Sequence, residues 1–213
     1  VTTKTAVFHI GSRSKEELSH LVTEAFVGWL ITDGYGAYPS HSKRIRCLAH
    51  LIRKAVACSE AINHKVATIG QWILDDLREL IALIASASED NRLKSKRIAG
   101  LRRVCHLGKK VDQTKLQALA KEILNDWDAV VAFVNHPELP PTNNQAERAL
   151  RHAVIARQIG FGTRTPEGSL AYSSLLSVIE TCRLREIKPW TYIASVLANA
   201  RQGLSPPPFP VGS

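Results

Sequence analysis

The stretch GWLITDG at residues 28–34 is a short apolar run that ends in an acid and a glycine. Runs of this kind are typical of buried strands in a sheet that helices cover. Upstream, residues 1–10 are rich in β-branched side chains and roughly alternate in polarity, which predicts another strand. A helix is predicted between the two strands, over about 14–25, because Ser14 is placed to cap it and Glu17 follows three residues later.

A long helical block follows this first part of the chain. Residues 45–49 predict one more short strand, or the start of the helix that carries His50, Arg53 and Lys54. From about 55 to 135 the apolar residues follow helical spacing. The two clearest runs are Ile69, Trp72, Ile73, Leu77, Leu80, Ile81 and Ile84, and then Leu116, Leu119, Ile123, Leu124, Trp127, Val130 and Val131. Strands that alternate with helices predict an α/β fold, and the helical block predicts an insertion into it.

The C-terminal third begins after a proline-rich joint at 136–141, where one helix must stop before the next begins. Further helices are predicted over 169–183 and 189–201, and the tail is predicted to be disordered. The predicted boundaries are therefore a core whose first part is 1–57, a helical insertion at 58–140, the C-terminal part of the core at 141–201 and a disordered tail at 202–213.

The chain is basic, with a formal net charge of +9 over 213 residues and a pI of about 9.6. Such a surplus favours a polyanionic partner, of which nucleic acid is the commonest, although a soluble basic protein has the same composition. The stretch KSKRIAGLRR at 94–103 is the most basic part of the helical block. A solvated helix face explains it better than a contact with the DNA backbone.

Cysteine usage and hydropathy indicate the cellular compartment of the protein. The four cysteines lack the paired CxxC spacing, which suits a reducing cytoplasm better than a disulfide framework. Cys47 and His50 have the spacing of two zinc ligands, but four good ligands are not evident. No apolar run approaches the roughly 20 residues of a membrane span, and the N-terminus is not a signal peptide. We therefore predict a cytoplasmic protein without a membrane partner.

Two acidic residues are candidates for a metal site. Asp33 closes the predicted buried strand, and the carboxyl end of a strand is where α/β sheets present functional side chains. Glu147 lies in the first turn of a helix, before Arg148 and Arg151. Two carboxylates brought together would suit Mg²⁺ and phosphoryl transfer. Spacing alone favours structural roles instead, in which Asp33 belongs to a turn and Glu147 to a capping box or an i,i+4 pair with Arg151.

Four motifs occur in the order found in a known family. The sequence resembles DDE transposases of bacterial insertion sequences, in particular the insertion-sequence family numbered sixty-six. The motifs are Thr32-Asp33-Gly-Tyr-Gly-Ala-Tyr38, Cys47-Leu-Ala-His50-Leu-Ile-Arg53-Lys54, Asn143-Asn144-Gln-Ala-Glu147-Arg148-Ala-Leu-Arg151 and Phe161-Gly-Thr-Arg-Thr-Pro-Glu-Gly168. The likeness continues through 174–182, which is similar to the family's C-terminal helix.

The resemblance implies an RNase H-like core, a mixed sheet flanked by helices, with three acids around two divalent ions, Mg²⁺ or Mn²⁺. Asp33 matches the second acid and Glu147 the third, and both would be catalytic metal ligands. Other site residues are implied at the matching positions. Contacts to DNA are implied for Arg148, Arg151, Arg53 and Lys54, and a site-shaping role is implied for Asn143, Asn144 and His50. The activity implied is DNA transposition, which consists of strand cleavage and strand transfer.

The family's first acid is expected upstream of the strand predicted at 1–10, so the core would be incomplete here. We expect a fragment or the product of a decayed element, inactive by itself. DNA ends and target DNA are the implied partners, with a homo-oligomer, helper proteins of the same element and a nucleoid-associated location. Two alternatives stay open, namely a non-catalytic basic DNA-binding module and an RNase H-like nuclease.

Overall fold

A computed structural model of the chain describes residues 1–12, 14–23, 25–34, 41–88 and 90–211. These residues fall into two compact units. Unit 1 takes the described residues of 1–24 and 144–213, and unit 2 takes those of 25–143. The boundaries predicted at residues 57 and 140 stay predictions. The two units divide the chain at other positions, because the strands near Asp33 pack with the helical block.

Unit 2 contains a small parallel sheet. Strand β1 is Leu30–Thr32 and strand β2 is Arg44–Arg46, with Leu30 opposite Arg44 and Thr32 opposite Arg46. Both short strands that the sequence predicted in this region are therefore present. The alternative offered for 45–49 is also partly right, since a helix starts directly after β2.

Five helices complete the described part of unit 2. They are α2 (Leu48–Ser59), α3 (His64–Ala85), α4 (Asn91–Gly108), α5 (Thr114–Asn125) and α6 (Trp127–Asn135). Asn63 caps the longest of them, because its side chain accepts hydrogen bonds from the backbone N–H groups of Lys65 and Val66. Most of the apolar positions with helical spacing pack into one core together with Ile45 of β2, and Ile45, Leu51 and Leu77 are fully buried there.

Helices alone make up the regular structure described in unit 1. They are α1 (Lys15–Leu21), α7 (Asn144–Gly160), α8 (Pro166–Leu184) and α9 (Pro189–Arg201). The cap predicted at Ser14 is confirmed, because its Oγ accepts a hydrogen bond from the N–H of Glu17 at 3.3 Å. Helix α1 ends at Leu21, earlier than the predicted residue 25, where the β-branched residues Val22 and Thr23 have low helix propensity.

The strand predicted at 1–10 is wrong, because no described residue of that segment belongs to a sheet. The segment instead lies along α8. The N–H of Ala6 donates to Thr181 Oγ1 at 3.1 Å, and the same hydroxyl donates back to the Ala6 carbonyl. The N–H of Phe8 donates to Ser177 Oγ at 2.9 Å. Helix hydroxyls thus satisfy backbone groups that a neighbouring strand would otherwise satisfy.

The C-terminal tail, predicted to be disordered, also makes contacts in its described part, 202–211. The ring of Phe209 stacks on Tyr192 with the ring centroids 4.4 Å apart. Arg185 Nη1 donates to the carbonyl of Pro210 at 2.8 Å. Proline removes backbone donors, so these side chains and carbonyls provide the contacts that hold the tail.

The chain is therefore mainly helical with a small parallel sheet, a mixed composition that agrees with an α/β class. Within the described ranges, no helix combines the length and the apolar composition that crossing a membrane requires.

Candidate metal site and nucleic-acid contacts

The carboxyl edge of the sheet in unit 2 brings the ends of both strands together. Asp33 follows β1 directly, and Cys47 follows β2. The N–H of Cys47 donates to the carbonyl of Thr32 at 2.7 Å, which extends the parallel pairing by one residue. Asp33 is exposed, and α2 begins one residue after Cys47. Asp33 thus occupies the position at which an α/β sheet presents a functional side chain.

Gly34 follows Asp33 in a backbone conformation that favours glycine. Its φ is +90°, a conformation that L side chains rarely adopt, and an ideal Cβ at this position would overlap the Arg46 guanidinium. Glycine is therefore strongly favoured between the end of β1 and that side chain. The turn predicted at Asp33–Gly34 continues into residues outside the described ranges, so it stays a prediction beside the catalytic interpretation of Asp33.

Arg46 belongs to a partly buried cluster of charges, which we call the arginine clip: Arg44, Arg46, Lys54, Glu122 and Asp126. Arg46 is only 3% exposed and pairs with Glu122 and, at 3.5 Å, with Asp126. Arg44 binds Asp126 through both guanidinium nitrogens, one of them at 2.7 Å. Lys54 Nζ donates to Glu122 Oε2 at 2.6 Å. The clip ties β2 and α2 to α5 and its C-terminal end.

Sequence reasoning missed the arginine clip. Its signal was nevertheless present, because Arg44 and Arg46 are two apart on a strand and therefore share a face. Glu122 and Asp126 are four apart, the spacing that aligns side chains along a helix. Nothing in the sequence showed that these two pairs, almost eighty residues apart, face each other.

The predicted site residues on α2 differ in the partners that their side chains contact and in their exposure. Lys54 belongs to the arginine clip, although its side chain remains 52% exposed. Arg53 is exposed, and its Nε donates to the carbonyl of Ala49 at 3.4 Å. His50 is half-buried in the first turn of the helix. These three residues therefore lie on the helix that starts at the same sheet edge as Asp33.

The segment before α7 is fixed on the start of α2. The N–H of Leu48 donates to the carbonyl of Pro141 at 2.9 Å. The N–H of Asn143 donates to the Sγ of Cys47 at 3.4 Å. Asn143, predicted to shape the site, is thus placed beside the carboxyl edge of the sheet, and α7 begins at the next residue.

Helix α7 of unit 1 carries the remaining predicted site residues. Glu147 is half-buried in its first turn, where the helix dipole favours a negative charge. Asn144, Arg148 and Arg151 are exposed. A shared metal site of Asp33 and Glu147 stays a prediction.

The basic stretch at 94–103 lies on α4 and is partly used within unit 2. Arg97 pairs with Glu79 and, at 3.4 Å, with Asp76 of α3. The guanidinium of Arg102 lies over the ring of Trp127, 5.4 Å from its centroid. For Arg97 and Arg102, these contacts within unit 2 favour a structural role over a contact with the DNA backbone.

The four cysteines are free and buried. Burial raises the pKa of the Cys58 and Cys182 thiols above the ordinary value and raises the pKa of Cys105 to about 12. A thiol is nucleophilic only as a thiolate, so these three side chains are unsuited to nucleophilic chemistry.

Comparison with known proteins supports the resemblance drawn from the motifs. Residues 2–171 match the family described as "Transposase IS66 family". The uncharacterized protein y4jD of Sinorhizobium fredii is 26% identical over 211 residues, which cover 90% of this chain and 41% of that protein. The uncharacterized protein y4hP of the same organism is 36% identical over 77 residues, covering 36% of this chain and 14% of that protein. No solved structure matches the chain.

The chain spans less than half the length of these curated relatives. The match to the family nevertheless extends from the first residues of unit 1 through the whole of unit 2 and includes both Asp33 and Glu147. The chain belongs to the IS66 family of transposases.

Proposed function

We propose that this chain supplies the catalytic region of a DNA transposase, in which Asp33 and Glu147 hold divalent metal ions during strand cleavage and strand transfer. The observation that carries the proposal is the position of Asp33, exposed at the carboxyl edge of a parallel strand pair, in a chain that belongs to a transposase family. The finer assignment is an RNase H-like core whose sheet β1 and β2 would help to form.

The donor set fits the metal that we propose. Carboxylate oxygens are the ligands that Mg²⁺ and Mn²⁺ prefer, together with water and phosphate oxygens. When bound, such ions lower the pKa of an attacking hydroxyl or water and neutralise charge on the phosphate. Asp33 directly precedes Gly34, which packs against the Arg46 guanidinium of the arginine clip.

Glu147 is connected to the same edge through the chain. Asn143 is anchored to Cys47, and α7 starts at the next residue. Glu147 is the fourth residue of α7 and lies in its first turn. The anchored Asn143 supports a model in which the first turn of α7 supplies the second carboxylate, with Asn143, Asn144 and His50 shaping the site.

DNA would be held by basic residues near these acids. Arg148 and Arg151 are three apart and exposed on α7, a spacing that places both on one face. A guanidinium donates two parallel hydrogen bonds to a phosphate, which suits positioning of the backbone. Arg53 and Lys54 on α2 would add phosphate contacts, weaker for Lys54 because Glu122 already pairs with it.

Metal binding by the whole chain tests the assignment of the acids. We expect D33N and E147Q each to weaken Mn²⁺ binding in a calorimetric titration by at least about tenfold, since each removes a charged ligand. The control for D33N is D112N, at an exposed acid of unit 2, and the control for E147Q is E167Q, at a first-turn acid of α8. Equal Mn²⁺ affinity for the wild type and both site variants would contradict the proposed metal site.

Cleavage and joining are tested in a full-length transposase of the IS66 family that carries this region. With terminal-repeat DNA and Mg²⁺, D33N and E147Q should abolish both steps while leaving DNA binding intact. Nicked DNA without joined products would favour the RNase H-like nuclease. Binding that ignores Mg²⁺, falls steeply with salt and is unchanged in both variants would favour the basic DNA-binding module. We further expect a homo-oligomer that bridges two DNA ends, with helper proteins of the element, at the nucleoid.

A further inference from the structure

A groove in unit 2 lies away from the residues assigned above. It is formed by the first turns of α3 and the C-terminal end of α4 and has a volume of about 550 Å³. Its lining includes Ile69, Trp72 and Leu107, with His64, Lys65 and Lys110 contributing polar ends. No residue of the proposed metal site or of the arginine clip lines it.

The aromatic side chain in this groove departs from the helix pattern. Helical spacing placed Trp72 with the apolar residues of α3, and its neighbours Ile69 and Ile73 are buried in the core. Trp72 itself is 48% exposed, and Leu107 of α4 is 46% exposed. The groove therefore presents a large aromatic surface to solvent. The packing around α3 buries only part of the Trp72 ring.

The charge of the groove is uniformly basic. Within the part of the chain that the structure describes, its titratable lining residues are His64, Lys65 and Lys110, with no carboxylate among them. The nearest acid along α3, Asp75, already accepts a hydrogen bond from the Gln71 side chain at 2.7 Å. A ligand that complements the groove needs a flat apolar part against Trp72 and negative charge beside the lysines.

We propose that this groove binds an unpaired nucleobase of DNA, with Trp72 stacking on the base and Lys65 and Lys110 contacting the flanking phosphates. A stacked base in a duplex has no free face for Trp72, so the ligand is single-stranded DNA or a base displaced from a duplex. An acidic peptide would satisfy the lysines but would leave the aromatic face without a matching planar group. The site uses neither Asp33 nor Glu147 and requires no metal ion.

The test compares oligonucleotides that differ in only one property. A labelled single-stranded thymidine oligonucleotide, its duplex, and an abasic strand of equal length and charge are titrated with the whole chain and followed by fluorescence anisotropy. Base stacking on an aromatic ring contributes enough for W72A to weaken single-strand binding by roughly 5- to 100-fold, with a smaller loss for W72F. Binding of the abasic strand should be weak for the wild type and unchanged by either substitution.

Matched controls separate stacking from general damage. W190F changes a tryptophan of unit 1 that is 76% exposed and should leave single-strand binding unchanged. K65Q and K110Q should each reduce the slope of log affinity against log salt by about 0.7, while K121Q, at an exposed lysine of α5 outside the groove, should not. W72F keeps an aromatic ring that is smaller than the indole, so a loss of single-strand binding in W72F with an unchanged circular dichroism spectrum reports the reduced stacking surface and not a folding defect.

The outcomes are distinct from those for the metal site. D33N and E147Q should bind the single strand as the wild type does, so loss of Mn²⁺ binding and loss of stacking are independent results. Equal binding of the thymidine and abasic strands, or equal affinity of the wild type and W72A, overturns the proposal. Binding of poly-glutamate that also depends on Trp72 overturns it in favour of an acidic peptide.

Discussion

Replacing Arg46 with methionine tests the role of the arginine clip, because this guanidinium is its most buried member. Methionine keeps most of the side-chain volume and removes the charge that pairs with Glu122 and Asp126. We expect a loss of stability and the loss of the contact that Gly34 makes with the guanidinium.

The expected loss of stability depends on which ion pairs remain after the substitution. Neither carboxylate is left alone, because Lys54 still pairs with Glu122 and Arg44 still binds Asp126. The cost therefore lies at the lower end of the roughly 3–5 kcal/mol for removing one partner of a buried ion pair, and we expect about 3 kcal/mol. For a chain of this size that corresponds to a decrease in Tm of roughly 6–12 °C.

Thermal and urea unfolding, followed by circular dichroism, measure this loss. The control is K54M, which removes a partner of the same Glu122 from a half-exposed position and should cost less than about 1 kcal/mol. Hydrogen exchange should lose protection in β2 and α5 of R46M while α9 is unchanged. The reasoning is refuted if R46M stays within about 1 kcal/mol of the wild type, or if K54M is as costly as R46M.

Two further predictions concern buried titratable groups of unit 2. Burial raises the pKa of Asp76 above its ordinary value of 3.8, although Arg97 opposes the shift. The folded state therefore favours the protonated acid, and this contribution to stability is complete below pH 3.8 and is lost as the pH rises through the raised pKa. The difference in Tm between wild type and D76N, measured across that window, should change with pH in this direction; a constant difference would contradict the shift. Burial also raises the pKa of Cys105 to about 12, so iodoacetamide at pH 8 should label it only after unfolding, as mass spectrometry of native and denatured samples can show. Rapid labelling of Cys105 in the native chain would exclude this burial.

Local pattern predicted much of the secondary structure. The apolar run at 28–33 identified β1 because a buried strand needs continuous apolar side chains, and the acid at its end was placed correctly at the strand terminus. The spacing of apolar residues between 55 and 135 predicted helices because one face of each helix must be buried. The Ser14 cap was predictable because its donor, the N–H of Glu17, lies only three residues away in the sequence.

Other features depended on partners that are distant in sequence. The β-branched residues at 1–10 favour an extended backbone, but their hydrogen-bond partners are hydroxyls of α8, about 170 residues away. Whether an extended segment pairs with a strand or with side chains is decided by what packs beside it. The described tail likewise takes its contacts from Arg185 and Tyr192.

The candidate site also has features that the sequence predicted and features that depended on tertiary packing. Sequence by itself determined the family, through four motifs in order, and with it the identity of Asp33 and Glu147 as candidate ligands. Tertiary structure alone revealed the arginine clip and the exposed ring of Trp72, because ion pairing and burial depend on which helices meet. Helical periodicity states that a residue lies on an apolar face, but only packing decides whether a neighbouring helix covers it.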